Sequence, residues 1–278
     1  MPLVDLHTHS TASDGILSPE NLVSRAKSKG VEVLALTDHD TLAGVAAATA
    51  AAAAAGLKLI AGIELSSQWR GRGIHIVGLN VDTGHPAMAE ARRHQLQVRE
   101  ERATRIADKL AKYGFEGTLA GARRWAGEAA VGRPHFARYL EEAGHVGSVN
   151  EAFKKYLGAG KPGDIKEMWP AMDRVVGWIS AAGGVAVLAH PDKYQLTRTR
   201  LVALLEDFCE GGGRALEVIS GFQQQRLTLE LAELARRFEL HVSCGSDFHV
   251  PDQPWQELGA CGTLPPDCPP VWALWDAA

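Results

Sequence analysis

The chain is predicted to be an α/β protein built on a mainly parallel, seven-stranded (β/α) barrel with a helical insert. Three observations lead there. Seven short runs rich in leucine and β-branched residues alternate mostly with helical segments. Histidines and carboxylates recur where those runs end. One interval of 80 residues, 85–164, is almost wholly helical in pattern and interrupts the rhythm. A length of 278 residues with 46% hydrophobic content suits one barrel or two ordinary domains. Residues 1–84 and 165–278 are assigned to the barrel, and 85–164 to an insert that acts as a substrate-binding lid.

The elements follow in order. Leu3–His7 reads as a buried strand. Ser18 then caps a helix with Pro19 in its first position and Gly30 at its stop. Val33–Thr37 is the second strand. The tract 46–55 is a helix of the best helix former, ended by Gly56. Leu59–Ile63 and Ile74–Leu79 follow, with a turn at Gly71-Arg72-Gly73. After the insert come Val185–Ala189, Leu216–Ile219 and Val242–Cys244, separated by helices such as Leu201–Cys209 and Leu227–Phe238. The tail from Pro251 reads as a packed extended segment, with Trp255, Trp272 and Trp275 as core or edge cover rather than base-stacking platforms. No internal repeat of fixed period is present.

Charge and cysteine content exclude several classes. The net charge of −4 argues against a bulk polyanion binder. The insert, however, carries fourteen Lys and Arg against ten Asp and Glu, leaving the deficit of carboxylate charge to the barrel. Such an arrangement suits carboxylates that hold cations and arginines that meet an anion. Ordinary surface charge on a solvated bundle is the competing account. Cys209, Cys244, Cys261 and Cys268 form no CxxC pair, so neither a zinc knuckle nor a disulfide framework is expected, and a cytoplasmic location follows. The N-terminus lacks a signal-peptide pattern, and no segment is expected to span a membrane. No obligate protein partner is inferred.

The chemistry lies at the strand ends. His7 and His9 are two apart, so a strand would point both to one side. Asp14 follows in the loop. Asp38-His39-Asp40 ends the second strand, Glu64 the third, His190 the fifth, and Asp247-Phe248-His249 the seventh; His75 begins the fourth. Taken singly, each has a bland role: Asp40 is read as the cap of the alanine helix, Asp38 as the holder of a histidine or turn, and His75 as core. Jointly, six of eleven histidines stand at strand ends beside carboxylates, where the loops of a β/α barrel converge. Imidazole and carboxylate without thiolate suit Mn²⁺ first, with Fe²⁺ and Zn²⁺ as alternatives. Nine donors exceed the needs of one tetrahedral ion, so two or three divalent ions are expected, bridged by a carboxylate such as Glu64.

His7-x-His9-x₄-Asp14-Gly15, Thr37-Asp38-His39-Asp40, Gly62-Ile63-Glu64, Ala189-His190-Pro191 and Gly245-Ser246-Asp247-x-His249 resemble the motifs of the PHP (polymerase and histidinol phosphatase) family, part of the amidohydrolase-like group. The resemblance implies a distorted seven-stranded barrel and a trinuclear centre. It implies one ion held by His7, His9, Glu64 and Asp247, a second by Glu64, His75 and His190, and a third by Asp14, His39 and His249. The segment Val131-Gly132-Arg133-Pro134-His135-Phe136-Ala137-Arg138, with Gly160-Lys161-Pro162 downstream, resembles the branch of stand-alone nucleotide phosphatases that remove the 3′-phosphate of nucleoside 3′,5′-bisphosphates.

The expected reaction is in-line attack on phosphorus by a metal-bound hydroxide, with the ions neutralising the non-bridging oxygens. Arg99 and Arg102 share a helix face, Arg133 and His135 sit in a Gly-Arg-Pro-His turn, and Lys161 lies further off. These five are the candidates for the second phosphate or the ribose of a small nucleotide, though Arg99 and Arg102 could instead pair with Glu100 and Glu101. The alternatives are histidinol phosphate hydrolysis and 5′→3′ exonuclease action on short RNA. A C–N hydrolase lacks its bridging lysine here, and a polymerase-stabilising module lacks room for a polymerase.

Overall fold

The computed structural model describes residues 2–165 and 168–275. The chain forms two compact units, Met1–Arg92 with Pro170–Ala278, and Arg93–Trp169.

In the first unit β1 (Val4–Asp5) leads to α1 (Pro19–Ser28), whose first turn is capped by the Ser18 hydroxyl accepting from the Asn21 N–H. Next come β2 (Val33–Leu36) and α2 (Val45–Ala55), stopped by Gly56 in the left-handed conformation. Long β3 (Lys58–Trp69) and β4 (Arg72–Leu79) form a hairpin. Its two-residue turn is Arg70-Gly71, both at positive φ (48° and 75°), which matches the twist of the strands. The turn therefore precedes Arg72 instead of being centred on it, and both strands run longer than the hydrophobic runs indicate. The remaining turns of barrel and insert hold α3 (Pro86–Ala111), α4 (Thr118–Ala126), α5 (Arg133–Glu142), α6 (Val149–Ala152) and α7 (Met172–Ala181). Then β5 (Val185–Leu188), α8 (Arg198–Glu210), β6 (Ala215–Ser220), α9 (Gln225–Arg237) and β7 (His241–Gly245) complete the barrel.

The sheet order is β1-β2-β3-β4-β5-β6-β7. The first three strands are mutually parallel, as are the last three, but β4 is antiparallel to both neighbours. The expected mainly parallel sheet holds outside β4; a two-residue hairpin leaves no room for the crossover a parallel partner needs. The barrel closes where the Leu6 N–H donates to the Cys244 carbonyl at 3.0 Å and the Asp247 N–H to the His7 carbonyl at 2.9 Å. Gly245 makes this approach feasible, since a Cβ there would overlap the backbone of His7.

Alternation along the strands divides the core. Val4, Leu6, Ala35, Val77, Val187 and Ala215 form one cluster, joined by Val271 of the tail. A larger cluster packs the opposite strand faces against helices, with Leu22, Leu34, Ile63, Ile74, Ile179, Leu204 and Leu231 among its members. The unit Arg93–Trp169 has its own core of Ile106, Leu110, Phe136, Leu140, Leu157 and Ile165. Among the described residues no helix is long and apolar enough to cross a membrane.

Candidate metal centre

All nine metal-ligand candidates converge at one end of the barrel. His7 and His9 leave β1 on the same side. Glu64 lies in β3 and His75 in β4, and register explains their meeting. Ser66 pairs with His75 across the hairpin, and Glu64 is two residues from Ser66, so all three share a face. Because β4 runs antiparallel, its beginning lies at the end where its neighbours finish. His75 looked misplaced by its early position only if every strand ran the same way.

Glu64 is the hub. Its Oε1 lies 2.8 Å from His75 Nδ1 and 2.9 Å from His190 Nε2. Its Oε2 lies 2.8 Å from His39 Nδ1 and 3.3 Å from both His7 Nε2 and His9 Nε2. Asp247 Oδ1 approaches His9 Nε2 at 3.3 Å and His7 Nε2 at 3.6 Å. Asp14 faces His249 Nε2 at 3.3 Å with one oxygen and His39 Nε2 at 3.8 Å with the other. Four overlapping donor groups have all their atoms within 4.8 Å of one another: His9, Asp14, His39 and His249; His7, Glu64 and His190; His7, His9 and Asp247; His39, Glu64 and His75.

The donor set fits divalent cations. His7 Nε2, His9 Nε2 and Glu64 Oε2 are buried and make no hydrogen bond, although they lie in contact. Buried polar atoms left unpaired in a dry site are costly, and shared cations would remove that cost. Titration reflects the crowding. Burial, aided by the charges of His249 and His39, pushes the His9 imidazole down to about 3. Burial opposes the charge on His249, yet Asp14 lifts it to about 9. Burial likewise works against charge on His7, but Glu217, Glu64 and Asp247 hold it well above its ordinary range. Glu64 is driven well below the usual carboxylate range, against its burial, by His39, His75 and His7.

Surrounding groups hold these donors. Glu217, in the apolar run of β6, takes the His7 Nδ1–H at 3.0 Å and the His190 backbone N–H at 2.6 Å. Lys193 ion-pairs with Asp247 Oδ2, and Gln256 Nε2 donates to the Asp247 carbonyl at 3.0 Å. Tyr194 Oη accepts the His75 N–H at 2.9 Å and donates to the Ala189 carbonyl at 2.8 Å. Asp38 accepts from the Ser10 N–H and hydroxyl, both at 2.7 Å, and from the Ser13 hydroxyl at 2.6 Å, so it holds the first loop.

Asp40 does not cap the alanine helix. The cap position is Gly44, and Asp40 instead binds the Ser66 N–H at 2.7 Å and its hydroxyl at 2.9 Å, pinning the second loop to β3. Asp40, His190 and Asp247 all have positive φ (57°, 27° and 54°), strain concentrated where the ligands are aimed. Glu217, Lys193, Tyr194 and Gln256 escaped the reading of the sequence. Only Glu217 offered a signal, as a lone carboxylate within a buried hydrophobic strand.

The cationic candidates all belong to the second unit. Arg99 and Arg102 are buried, not solvated, with their guanidinium carbons 5.5 and 5.1 Å from the Trp169 ring centre. Arg102 Nε donates to the Ile165 carbonyl at 2.7 Å. A Cβ on Gly132 would lie 3.5 Å from Arg99 Nη1 and 3.9 Å from His135 Nδ1, so these groups share one neighbourhood. The Gly-Arg-Pro-His segment is the first turn of α5, and His135 Nδ1 accepts the Gly132 N–H at 2.9 Å. Arg133 turns toward the Leu157 carbonyl (3.1 Å) and Asp164 (3.3 Å). Lys161 is exposed in the following turn.

The family profile described as PHP domain matches residues 5–231. A 5′-3′ exoribonuclease of Haemophilus influenzae is 46% identical over 268 residues, covering 96% of this chain and 97% of that protein. A 3′,5′-nucleoside bisphosphate phosphatase of Chromobacterium violaceum is 41% identical over 273 residues, covering 98% and 96%. A solved amidohydrolase from Chromobacterium violaceum, with bound sulfate and no metal, superposes with a TM-score of 0.92 at 40% identity, covering 99% of this chain and 96% of that one. A Bifidobacterium adolescentis structure assigned as a metal-dependent phosphoesterase gives 0.80 at 26% identity, covering 98% and 94%.

Proposed function

The chain belongs to the PHP domain family, and from that premise we propose that it is a divalent-metal-dependent phosphoesterase that releases the 3′-phosphate of nucleoside 3′,5′-bisphosphates. The observation that carries this reading is the convergence of six imidazoles and three carboxylates in overlapping groups whose donor atoms lie within 4.8 Å of one another, with His7 Nε2, His9 Nε2 and Glu64 Oε2 buried and without hydrogen-bond partners. Divalent ions held there would supply Lewis-acid polarisation of the phosphoryl group and a water made acidic at neutral pH.

The chain's own groups set the stage. Glu217 accepts from His7 Nδ1 and so keeps the Nε2 lone pair turned inward. Lys193 occupies Asp247 Oδ2 and leaves Oδ1 toward His7 and His9. Mn²⁺ is the proposed ion, two or three per chain, because hard carboxylates and imidazoles share the site without thiolate. Arg99, Arg102, Arg133, His135 and Lys161 are proposed to take the substrate's other phosphate. The cytoplasm is the proposed setting; the four cysteines are free thiols, as a reducing compartment would keep them.

A second reading is favoured by the 46% identical 5′-3′ exoribonuclease of Haemophilus influenzae. Hydrolysis of a 3′-phosphomonoester and of the 3′-phosphodiester behind a 5′-terminal nucleotide can break the same bond, between phosphorus and O3′. The two activities then differ only in what else phosphorus carries. Histidinol phosphate, with one phosphate and an amine, has no use for the basic insert. The test is product analysis by the Mn²⁺-loaded protein on adenosine 3′,5′-bisphosphate, a 5′-phosphorylated short RNA, 5′-AMP, 3′-AMP and histidinol phosphate. Inorganic phosphate plus 5′-AMP from the bisphosphate is expected. Preference for histidinol phosphate would overturn the assignment.

A further inference from the structure

Two aromatic side chains stand in solvent on loops hydrogen-bonded to the segment that carries the candidate ligands Asp247 and His249. Phe222, just after β6, is 79% exposed, and Trp255, beyond the loop that follows β7, is 56% exposed. Of the two roles expected for Trp255, core or edge cover, its exposure rules out the core. Their surroundings are ordered. The Phe222 N–H donates to the Trp255 carbonyl at 2.7 Å, and the Gly221 N–H donates to the Gly245 carbonyl at 2.7 Å. Gln223 braces the same loop, accepting the Ser220 N–H at 3.1 Å and donating to the Val218 carbonyl at 2.7 Å. Gln256, next to Trp255, binds the Asp247 carbonyl. Gly221 is required for this approach: its φ is 63°, and a Cβ there would meet the Trp255 and Ser246 carbonyl oxygens. Both rings are thus mounted on backbone hydrogen-bonded to the segment that carries Asp247 and His249.

We infer that Phe222 and Trp255 form a base-stacking surface for the nucleotide that follows the bond cleaved in short RNA. The inference rests on the phosphoesterase reading above and extends it to substrate length. A nucleoside bisphosphate ends at its phosphate and has nothing to place beyond it. An RNA chain continues from that phosphorus, and the exposed rings lie on the loops bordering the ligands. Every base has a π-face, so stacking on a ring holds any sequence. Phe222 also lines a partly apolar cleft of about 490 Å³ with Gln223, Thr228, Leu229, Cys261 and Leu264.

The experiment compares Phe222→Ala, Trp255→Ala and Trp255→Phe with the wild type on two substrates, adenosine 3′,5′-bisphosphate and a 5′-phosphorylated tri-adenylate. For each alanine variant, kcat/KM on the trinucleotide should fall by about 5- to 100-fold, through KM. The same variants should stay within about twofold of wild type on the bisphosphate, and Trp255→Phe should recover most of the loss. Equal losses on both substrates, or none on the trinucleotide, would overturn the inference while leaving the phosphoesterase reading in place. So would a wild-type dimer, seen by sedimentation, that the alanine variants dissociate, because the rings would then belong to a second copy of the chain. A wild type inactive on both substrates would remove the phosphoesterase reading and this inference with it.

Discussion

Replacement of Glu217 by Gln tests how the metal centre is aimed. The carboxylate is buried and accepts two hydrogen bonds, one from His7 Nδ1 at 3.0 Å and one from the His190 backbone N–H at 2.6 Å. Glutamine matches its shape but offers one acceptor and one donor group. The His190 N–H cannot change its role, so the amide oxygen is claimed there, and the amide NH₂ turns to His7. His7 must then present a lone pair at Nδ1 and carry its proton on Nε2, the atom that faces Glu64 and Asp247. The wrong tautomer cannot ligate. Loss of such a supporting hydrogen bond costs about 10- to 100-fold in metal affinity, or about 1.4–2.7 kcal/mol. Calorimetric titration of the metal-stripped protein with Mn²⁺ reads this directly. Losing the charge of Glu217 also relaxes the raised pKa of His7, so protons compete less in the variant. The deficit should therefore widen from pH 6.5 to pH 8.5. Affinity within twofold of wild type at pH 8.5 would refute the tautomer argument.

Other consequences are as direct. Asp40→Ala strips the buried Ser66 N–H and hydroxyl of their acceptors and should lower unfolding free energy by about 2–4 kcal/mol in a urea titration; a loss below about 0.5 kcal/mol would contradict the pinning role. Mn²⁺ loading at pH 7 should release protons, since His249, at about 9, must lose its proton to ligate, while His9, at about 3, has none to give. Calorimetry in buffers of different ionisation enthalpy counts them, and a count of zero would refute this. Arg25 grips Glu257 through two hydrogen bonds of 3.0 and 2.6 Å and draws its pKa down to about 2. A lowered folded-state pKa contributes stability that is whole above the unfolded value near 4.3 and fades as pH falls toward 2. Arg25→Ala should thus destabilise by about 1 kcal/mol at pH 7 and by nearly nothing at pH 2, as measured by thermal melts.

The candidate ligands were legible in the sequence because strand geometry makes local pattern meaningful. Two residues apart on a strand means one side, and the end of a barrel strand means the mouth, so His7, His9, Asp14, His39, Glu64, His190, Asp247 and His249 announce themselves. Hydrophobic run lengths and the Ser18, Pro19 and Gly56 punctuation likewise mark elements from neighbours in the chain. His75 needed the direction of β4, and direction is a pairing fact that run length does not encode. Asp40 before the alanine tract looked like a cap because capping is local chemistry, but its partner Ser66 is 26 residues away.

What the sequence by itself determined is the set of elements, the chemistry of the donors and the helical character of the insert, all of which depend on residues close in the chain. Only the tertiary structure decided which polar atoms pair across the barrel. Glu217 meets His7 across 210 residues, and Gln256 and Lys193 meet Asp247 from separate loops. It alone showed that Trp255 faces solvent while Arg99 and Arg102 are buried against Trp169. Burial and hydrogen-bond partnership are properties of the packed neighbourhood, and closure of β7 onto β1 creates that neighbourhood only when the whole barrel has formed.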